Sequence, residues 1–407
     1  MNVEELVRET LWEQADRVPP APPGLADRVL GVRRRRRNRR LASVATAAAA
    51  VVGIAVAVPL LDSGGPGDVR PSRVLDSGAV RAHPDQSPPR EAIAAGRTVL
   101  AAYYTRRIVP ESGHRVAGVR TYWLLDPRTG RYEKDDRWSS VAVAPGLRTA
   151  AVLERRLPAS RIGLLDLATG EVERWIPVAR GVGGLAFSAD GRRLVATTYN
   201  ENPDLYERST DPGTGETVLA PRFGIRPRTG FQILDVASGS KRPWVPVASD
   251  RNVLGDADFS FSRTGDLLYA RVAGPRDGMQ QFYGLTGRKV APPANERHLR
   301  SDVGARLSPD GRLAAWGLVA EPHHTSYSAI RDPLTGKEIT RVRGADLLAW
   351  ADDKRLIAWE RDPDTVEYRP RLVLVTIGSK DVVPLSGYQK PDAAYHWQDW
   401  QPVFAQR

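Results

Sequence analysis

The sequence predicts an all-β fold of repeated hairpins, and three observations carry that prediction. An apolar strand, a tight turn and a second apolar strand recur as LAFSADGRRLVATT at 185–198, FSFSRTGDLLYAR at 259–271, ARLSPDGRLAAWG at 305–317 and LLAWADDKRLIAWE at 347–360. A strand ending in an Asp-x-x-Ser/Thr-Gly turn recurs as LLDPRTG at 124–130, LLDLATG at 164–170, ILDVASG at 233–239 and IRDPLTG at 330–336. Helical periodicity is absent after residue 62. Pairs of hairpins return about every 40–50 residues, the spacing of four-stranded blades, so a β-propeller is the economical reading.

Turn chemistry justifies each unit. In Ser-x-Asp-Gly the Ser and Asp side chains bond local amides, and Gly supplies the left-handed residue. Asp190, Gly191, Gly265, Asp310 and Gly311 are the turn residues on which this reading rests. VAVAPGLRTAAVLE at 141–154 is a weaker copy, GRTVLAAYY at 96–104 a half copy, and YGLTG at 283–287 and VTIGSK at 375–380 are degraded second units. Full units begin near 138, 183, 256, 303 and 346, and a sixth begins near 96 without a clear inner strand. Tyr395–Trp400 is expected to supply that strand and close the ring, giving six blades. Seven follow instead if residues 72–82 and 393–406 pair as their own blade.

These repeats resemble the WD40-like, TolB-type β-propeller repeat over roughly residues 92–386. The resemblance implies that both turn motifs lie on one face and that the loops between second and third strands lie on the other.

Composition bounds the rest. The chain has 407 residues, a net charge of +11 and no cysteine. Disulfides, thiolate metal sites and a cysteine nucleophile are therefore excluded. The densest positive block is Arg33, Arg34, Arg35, Arg36, Arg37, Arg39 and Arg40, followed by LASVATAAAAVVGIAVAVPLL at Leu41–Leu61 without a charge. That run is long enough to cross a bilayer as one transmembrane helix, and the arginines before it place the N-terminus inside. Charge so placed argues for membrane orientation and against nucleic acid as a partner. A cleaved export signal is the competing reading, with Ala55-Val56-Ala57 as its cleavage site.

The predicted organisation is a cytoplasmic helical segment at 1–40, the span at 41–61, a Pro/Gly-rich linker at 62–92 and an extracytoplasmic propeller at 93–407. Residues 3–16 set Val3, Leu6, Val7 and Leu11 near one side of a helix, either as a docking stripe or as a tail with a topological role. With its single span and outer domain, this end resembles actinobacterial membrane proteins related to anti-sigma factors. It lacks their His and paired-Cys zinc motif. The resemblance implies a sigma factor as the inner partner.

Binding residues are expected on the variable loops, because rigid scaffolds carry function there. The candidates are Tyr206, Arg222, Phe223 and Arg226 in 199–229, His323, His324 and Tyr327 near 321–327, and Tyr368 in 361–370, with 106–119 as a fourth loop. The adjacent histidines cannot both face one ion without a strained loop, no third ligand is evident, and no cofactor or metal is predicted. No Gly-x-Ser-x-Gly elbow, P-loop or dinucleotide fingerprint occurs. The expected function is a non-catalytic binding or sensor module for an outer protein, peptide or glycan. The alternative is an anchored hydrolase or lactonase with its site at the central channel.

The topology is directly testable. A reporter fused after Arg407 should be active only outside the membrane, and one fused at Met1 only inside. Neutralising the seven arginines should scramble that orientation, and an unchanged orientation would refute the role given to them.

Overall fold

The recurring hairpins form where the repeats placed them. The computed structural model describes residues 78–210, 217–221, 228–247, 258–271, 278–365, 369–390 and 400–407. The predicted cytoplasmic segment with its seven arginines, the span at 41–61, and Arg222, Phe223, Arg226 and Tyr368 lie outside these residues. Among the described residues no helix is long and apolar enough to cross a membrane.

The structure is all-β, with a propeller-like arrangement of antiparallel sheets. Trp138–Val143, Thr149–Glu154, Ala159–Asp166 and the first part of Glu171–Phe187 pair in sequence order. The last part of Glu171–Phe187 then pairs with Arg193–Tyr199, which is followed by Arg228–Asp235 and Val245–Pro246. Ser260–Phe261, Leu267–Arg271, Gln280–Gly284 and Lys289–Val290 make a four-stranded sheet. Ala314–Ala320, Tyr327–Arg331 and Glu338–Arg343 make a three-stranded one, and Asp346–Trp350, Arg355–Arg361, Pro370–Thr376 and Val382–Pro384 make another of four.

Among the described residues strand pairing yields five sheets, of seven, seven, four, three and four strands, and not six or seven separate four-stranded units. One cause is the continuous strand Glu171–Phe187, which serves as the outer strand of one hairpin set and the inner strand of the next. The three-stranded sheet falls short because its Ser-Pro-Asp-Gly hairpin keeps only one bridge, Leu307 to Ala314.

The turns behave as their chemistry requires. Gly191, Gly265 and Gly311 have φ of 70°, 76° and 78°. Ser308 Oγ donates to Asp310 Oδ1 at 2.6 Å and accepts the Leu313 amide at 3.0 Å, while Asp310 accepts the Arg312 amide. Ser188, Asp190, Arg192 and Arg193 repeat the pattern. In the second motif, Asp166 Oδ1 accepts the amides of Ala168 and Thr169, and Asp332 does the same for Leu334 and Thr335. These hydrogen bonds hold Asp190, Asp310 and Asp332 below the usual carboxylate range.

Closure differs from the expectation in register. The strand that pairs with Thr98–Ser112 is Gln401–Gln406, with Val99 opposite Ala405 and Leu100 opposite Phe404. Tyr395–Trp400 was expected in that place; Trp400 instead precedes the strand, and 395–399 lie outside the described residues. The strand pairs on one side only, and an edge strand tolerates Pro402, whose missing N–H would disfavour a central one.

Residues 78–92 also join the β region. Arg81 bridges Ala94, His83 bridges Ser386 and Glu91 bridges Arg131, so this segment spans the seam between the first and last sheets. Beneath it Ile93, Leu100, Tyr103, Ile357, Trp359, Leu385 and Trp400 form one core cluster. Trp400 is 2% exposed, with edge contacts to Tyr103 and Trp359 at 5.6 and 5.0 Å between ring centroids. Gly96 meets the last sheet so closely that a Cβ would lie 2.1 Å from the Ala351 carbonyl oxygen.

Trp400→Ala should therefore destabilise the domain by about 3–5 kcal/mol, the range for a buried aromatic cut to alanine. Urea unfolding measures this, and an unchanged midpoint would show that the seam adds nothing to stability.

Candidate functional site

Antiparallel order puts the motif turns at one end of each sheet and the second-to-third-strand loops at the other. The loop end holds the predicted binding residues, and there the structure departs most from the sequence reading. Residues 106–119 are no free loop. Thr98–Ser112 and Arg115–Asp126 run on past the core as a long hairpin, turning at Gly113. Leu205–Thr210 pairs with its outer strand, and Thr217–Pro221 pairs with Leu205–Thr210. Loops from two different sheets thus fuse into one four-stranded arm.

A buried carboxylate fastens the arm. Asp204, 4% exposed, receives a two-pronged contact from Arg120, at 2.6 Å to Oδ2 and 2.9 Å to Oδ1, and a further hydrogen bond from Arg106. Arg120 also donates to the Ser139 carbonyl at 2.8 Å, tying in the neighbouring sheet. Burial works against the Arg120 charge, but Asp204 outweighs it and leaves the guanidinium more basic than usual. Tyr122, fully enclosed beside it, is pushed above the ordinary phenol range by burial. The Asp204 amide donates to Asn202 Oδ1 and its carbonyl accepts the Gly118 amide, so the backbone is fixed as well.

Of the predicted residues, Tyr206 stands on this arm with Arg106 over its ring at 5.5 Å. His323 and His324 lie on another sheet, exposed, between Ala314–Ala320 and Tyr327–Arg331. Both have positive φ, 48° and 61°. Tyr327 is half-buried opposite Arg343. The structure places Tyr206 and the histidine loop in separate sheets and does not gather them into one pocket. Among the described residues no three His, Asp or Glu side chains converge as metal ligands.

Sequence reasoning missed a second charged centre at the same end. Glu360, 3% exposed, accepts from Arg371 at 2.8 Å and from Arg343 of the preceding sheet, and Arg371 lies 4.4 Å over the Tyr388 ring. Beside it Glu321 accepts from Ser326 and pairs with Arg361 at 3.5 Å. Asp204 reads in the sequence as a turn acid after Asn202-Pro203, and Glu360 as the polar end of a strand. Asp204 finds its arginines 98 and 84 residues away in the chain, and Glu360 finds one of its two on the preceding sheet.

No protein-family model matches the chain. No curated protein matches it either. Solved structures do. Hydrazine synthase of Kuenenia stuttgartiensis is 14% identical, over 62% of this chain and 68% of that one, with a TM-score of 0.35. TolB from Acinetobacter baumannii is 15% identical, over 75% and 66%, with a TM-score of 0.39. A chain of the mitotic checkpoint complex is 14% identical, over 82% and 87%, at 0.36.

Asp204→Ala should release the arm. Removing one partner of a buried ion pair costs about 3–5 kcal/mol. Limited proteolysis should then cut within 106–119 and 200–221 before the rest of the domain. A digestion pattern like that of the parent would show that the arm holds without this cluster.

Proposed function

We propose that this protein is a membrane-anchored β-propeller of six blades whose loop end binds a protein, peptide or glycan outside the membrane. The span at 41–61 tethers it, and residues 1–40 pass the bound state to an inner partner such as a sigma factor. The module is non-catalytic in this reading. Support for six blades comes from contacts between successive inner hairpins. The Gly146 amide donates to Gln406, Gly191 abuts Pro145, and Gly265 abuts Arg193. Arg263 reaches the Ser308 carbonyl beside Gly311, Asp353 accepts the Asp310 amide, and the Arg97 amide returns to Ala351.

The observation that carries the binding role is the arm. A solvated loop needs no buried, two-arginine anchor, whereas a recognition surface gains from being held rigid before its ligand arrives. Tyr206 and its stacked arginine supply the amphipathic contact chemistry enriched in interface hot spots.

The test is site-specific photocrosslinking in native membranes, with the crosslinker in place of Tyr206 in the full chain and in a chain lacking residues 1–40. Both should yield the same adduct from outside the membrane, and only the full chain should co-purify an inner partner. Adduct-free chains that instead turn over ester or lactone substrates would overturn the binding reading in favour of a hydrolase.

A further inference from the structure

The first sheet carries another concavity at its motif-turn end, away from the arm. Val80, Arg81, Ala82, His83, Glu91, Ala92 and the turn Thr129–Arg131 enclose a cleft of about 450 Å³. That falls within the usual range for small-molecule sites, about 300–1,000 Å³. Its walls are three backbone segments bound to one another. The Arg81 amide donates to Ala94 at 2.8 Å, the Ala92 amide to Gly130 at 2.8 Å, and the His83 amide to Leu385 at 2.9 Å. Arg407 adds a bond to the Ala79 carbonyl at 2.9 Å. A cleft so braced is formed before any ligand enters.

The charges in it are uneven. Arg81 and Arg131 both line the cleft, and neither guanidinium has an acidic partner among the described residues. Arg128, in the same turn, differs: its guanidinium is held by Asp126 at 3.2 Å. Glu91, the one acid in the lining, is instead 3.9 Å from His83 Nε2. Two open arginine forks suit the paired oxygens of a carboxylate or phosphate. Glu91, His83 and the Thr129 hydroxyl offer partners for neutral hydroxyl groups.

We infer that this cleft binds a small hydroxylated oxyanion, a sugar acid or a sugar phosphate, with Arg81 and Arg131 on the anionic group and Glu91 and Thr129 on the hydroxyls. The site is separate from the arm and does not depend on the function proposed for it. It lies on the seam that joins the first and last sheets, so its ligand also bridges residues 80–83 to the turn at 129–131.

Calorimetric titration of the full chain with glucuronate, glucose 6-phosphate and glucose tests the inference. At least one anion should bind with a Kd of about 1 mM or tighter, and glucose at least tenfold more weakly. Binding of one anion and not the other identifies whether the group is carboxylate or phosphate. The double variant Arg81→Gln/Arg131→Gln should lose at least tenfold in affinity at an unchanged melting temperature, since neither guanidinium holds the fold. Arg131→Glu alone should do the same by charge repulsion. Arg312→Gln, at a side chain 87% exposed elsewhere, should bind as the parent does. Equal binding of glucose, retained affinity in both cleft variants, or no heat with any of the three probes at about 10 mM would overturn it.

Discussion

The antiparallel pairing of Gln401–Gln406 with Thr98–Ser112 joins the end of the β region to its beginning, and the remaining sheets are arranged between those two strands. Without it the first sheet would offer Thr98–Tyr104 as a bare edge, and Trp400 would lose the Tyr103 and Trp359 rings that enclose it. The seam is reinforced from both sides. Thr98 Oγ1 donates to the Trp350 carbonyl at 2.7 Å, and Arg407 donates to the Gly96 carbonyl at 2.7 Å. Residues 78–95 brace the joint, with Arg81 bridging Ala94 and His83 bridging Ser386.

Between the sheets, apolar clusters are supplemented by buried ion pairs. Ala151, Leu153, Ile162, Leu194 and Leu234 make one apolar junction, and Phe231, Phe259 and Tyr283 another. Asp204, Glu296 and Glu360 act as polar staples. Glu296 accepts the Arg263 amide at 3.0 Å and the Arg306 guanidinium at 2.8 Å across the junction between the fourth and fifth hairpin sets. Each of these carboxylates meets at least one arginine from a different hairpin set. Their geometry is directional, where apolar packing is not, so Asp204 and Glu360 fix which segments meet at the loop end. In the arm, Asp204 takes Arg106 and Arg120 as partners beside the backbone ladder.

The repeat units were legible in the sequence because their information is local. A Ser, an Asp and a Gly within four residues determine the turn at 188–191, and the strands beside it alternate in the ordinary way. The half copy at 96–104 points to the C-terminus for the ring partner of Thr98–Tyr104, but the strand lies one strand-length beyond Tyr395–Trp400. Pro402 looks like a terminator until the strand is known to be an edge. The arm was not legible. Its pairing of Leu205–Glu207 with Arg115–Ala117 is a contact between segments that no spacing rule connects. Neither were Asp204 and Glu360, because a buried acid carries no mark of the arginines that reach it from another sheet. Of the predicted binding residues, Tyr206 is on a built surface, while His323 and His324 occupy a separate exposed turn.

If strand Gln401–Gln406 is the closing element of the whole β region, its amides must open only when the domain unfolds. Native-state hydrogen exchange measures this residue by residue. The Ala405 amide, which faces Val99 across the ladder, should exchange with the same free energy as those of Val152, Ile357 and Val373 in the interior strands, and with the same denaturant dependence. Exchange of the C-terminal strand at a much lower free energy, independent of denaturant, would mean that it frays alone, and that the sheets hold their order without it.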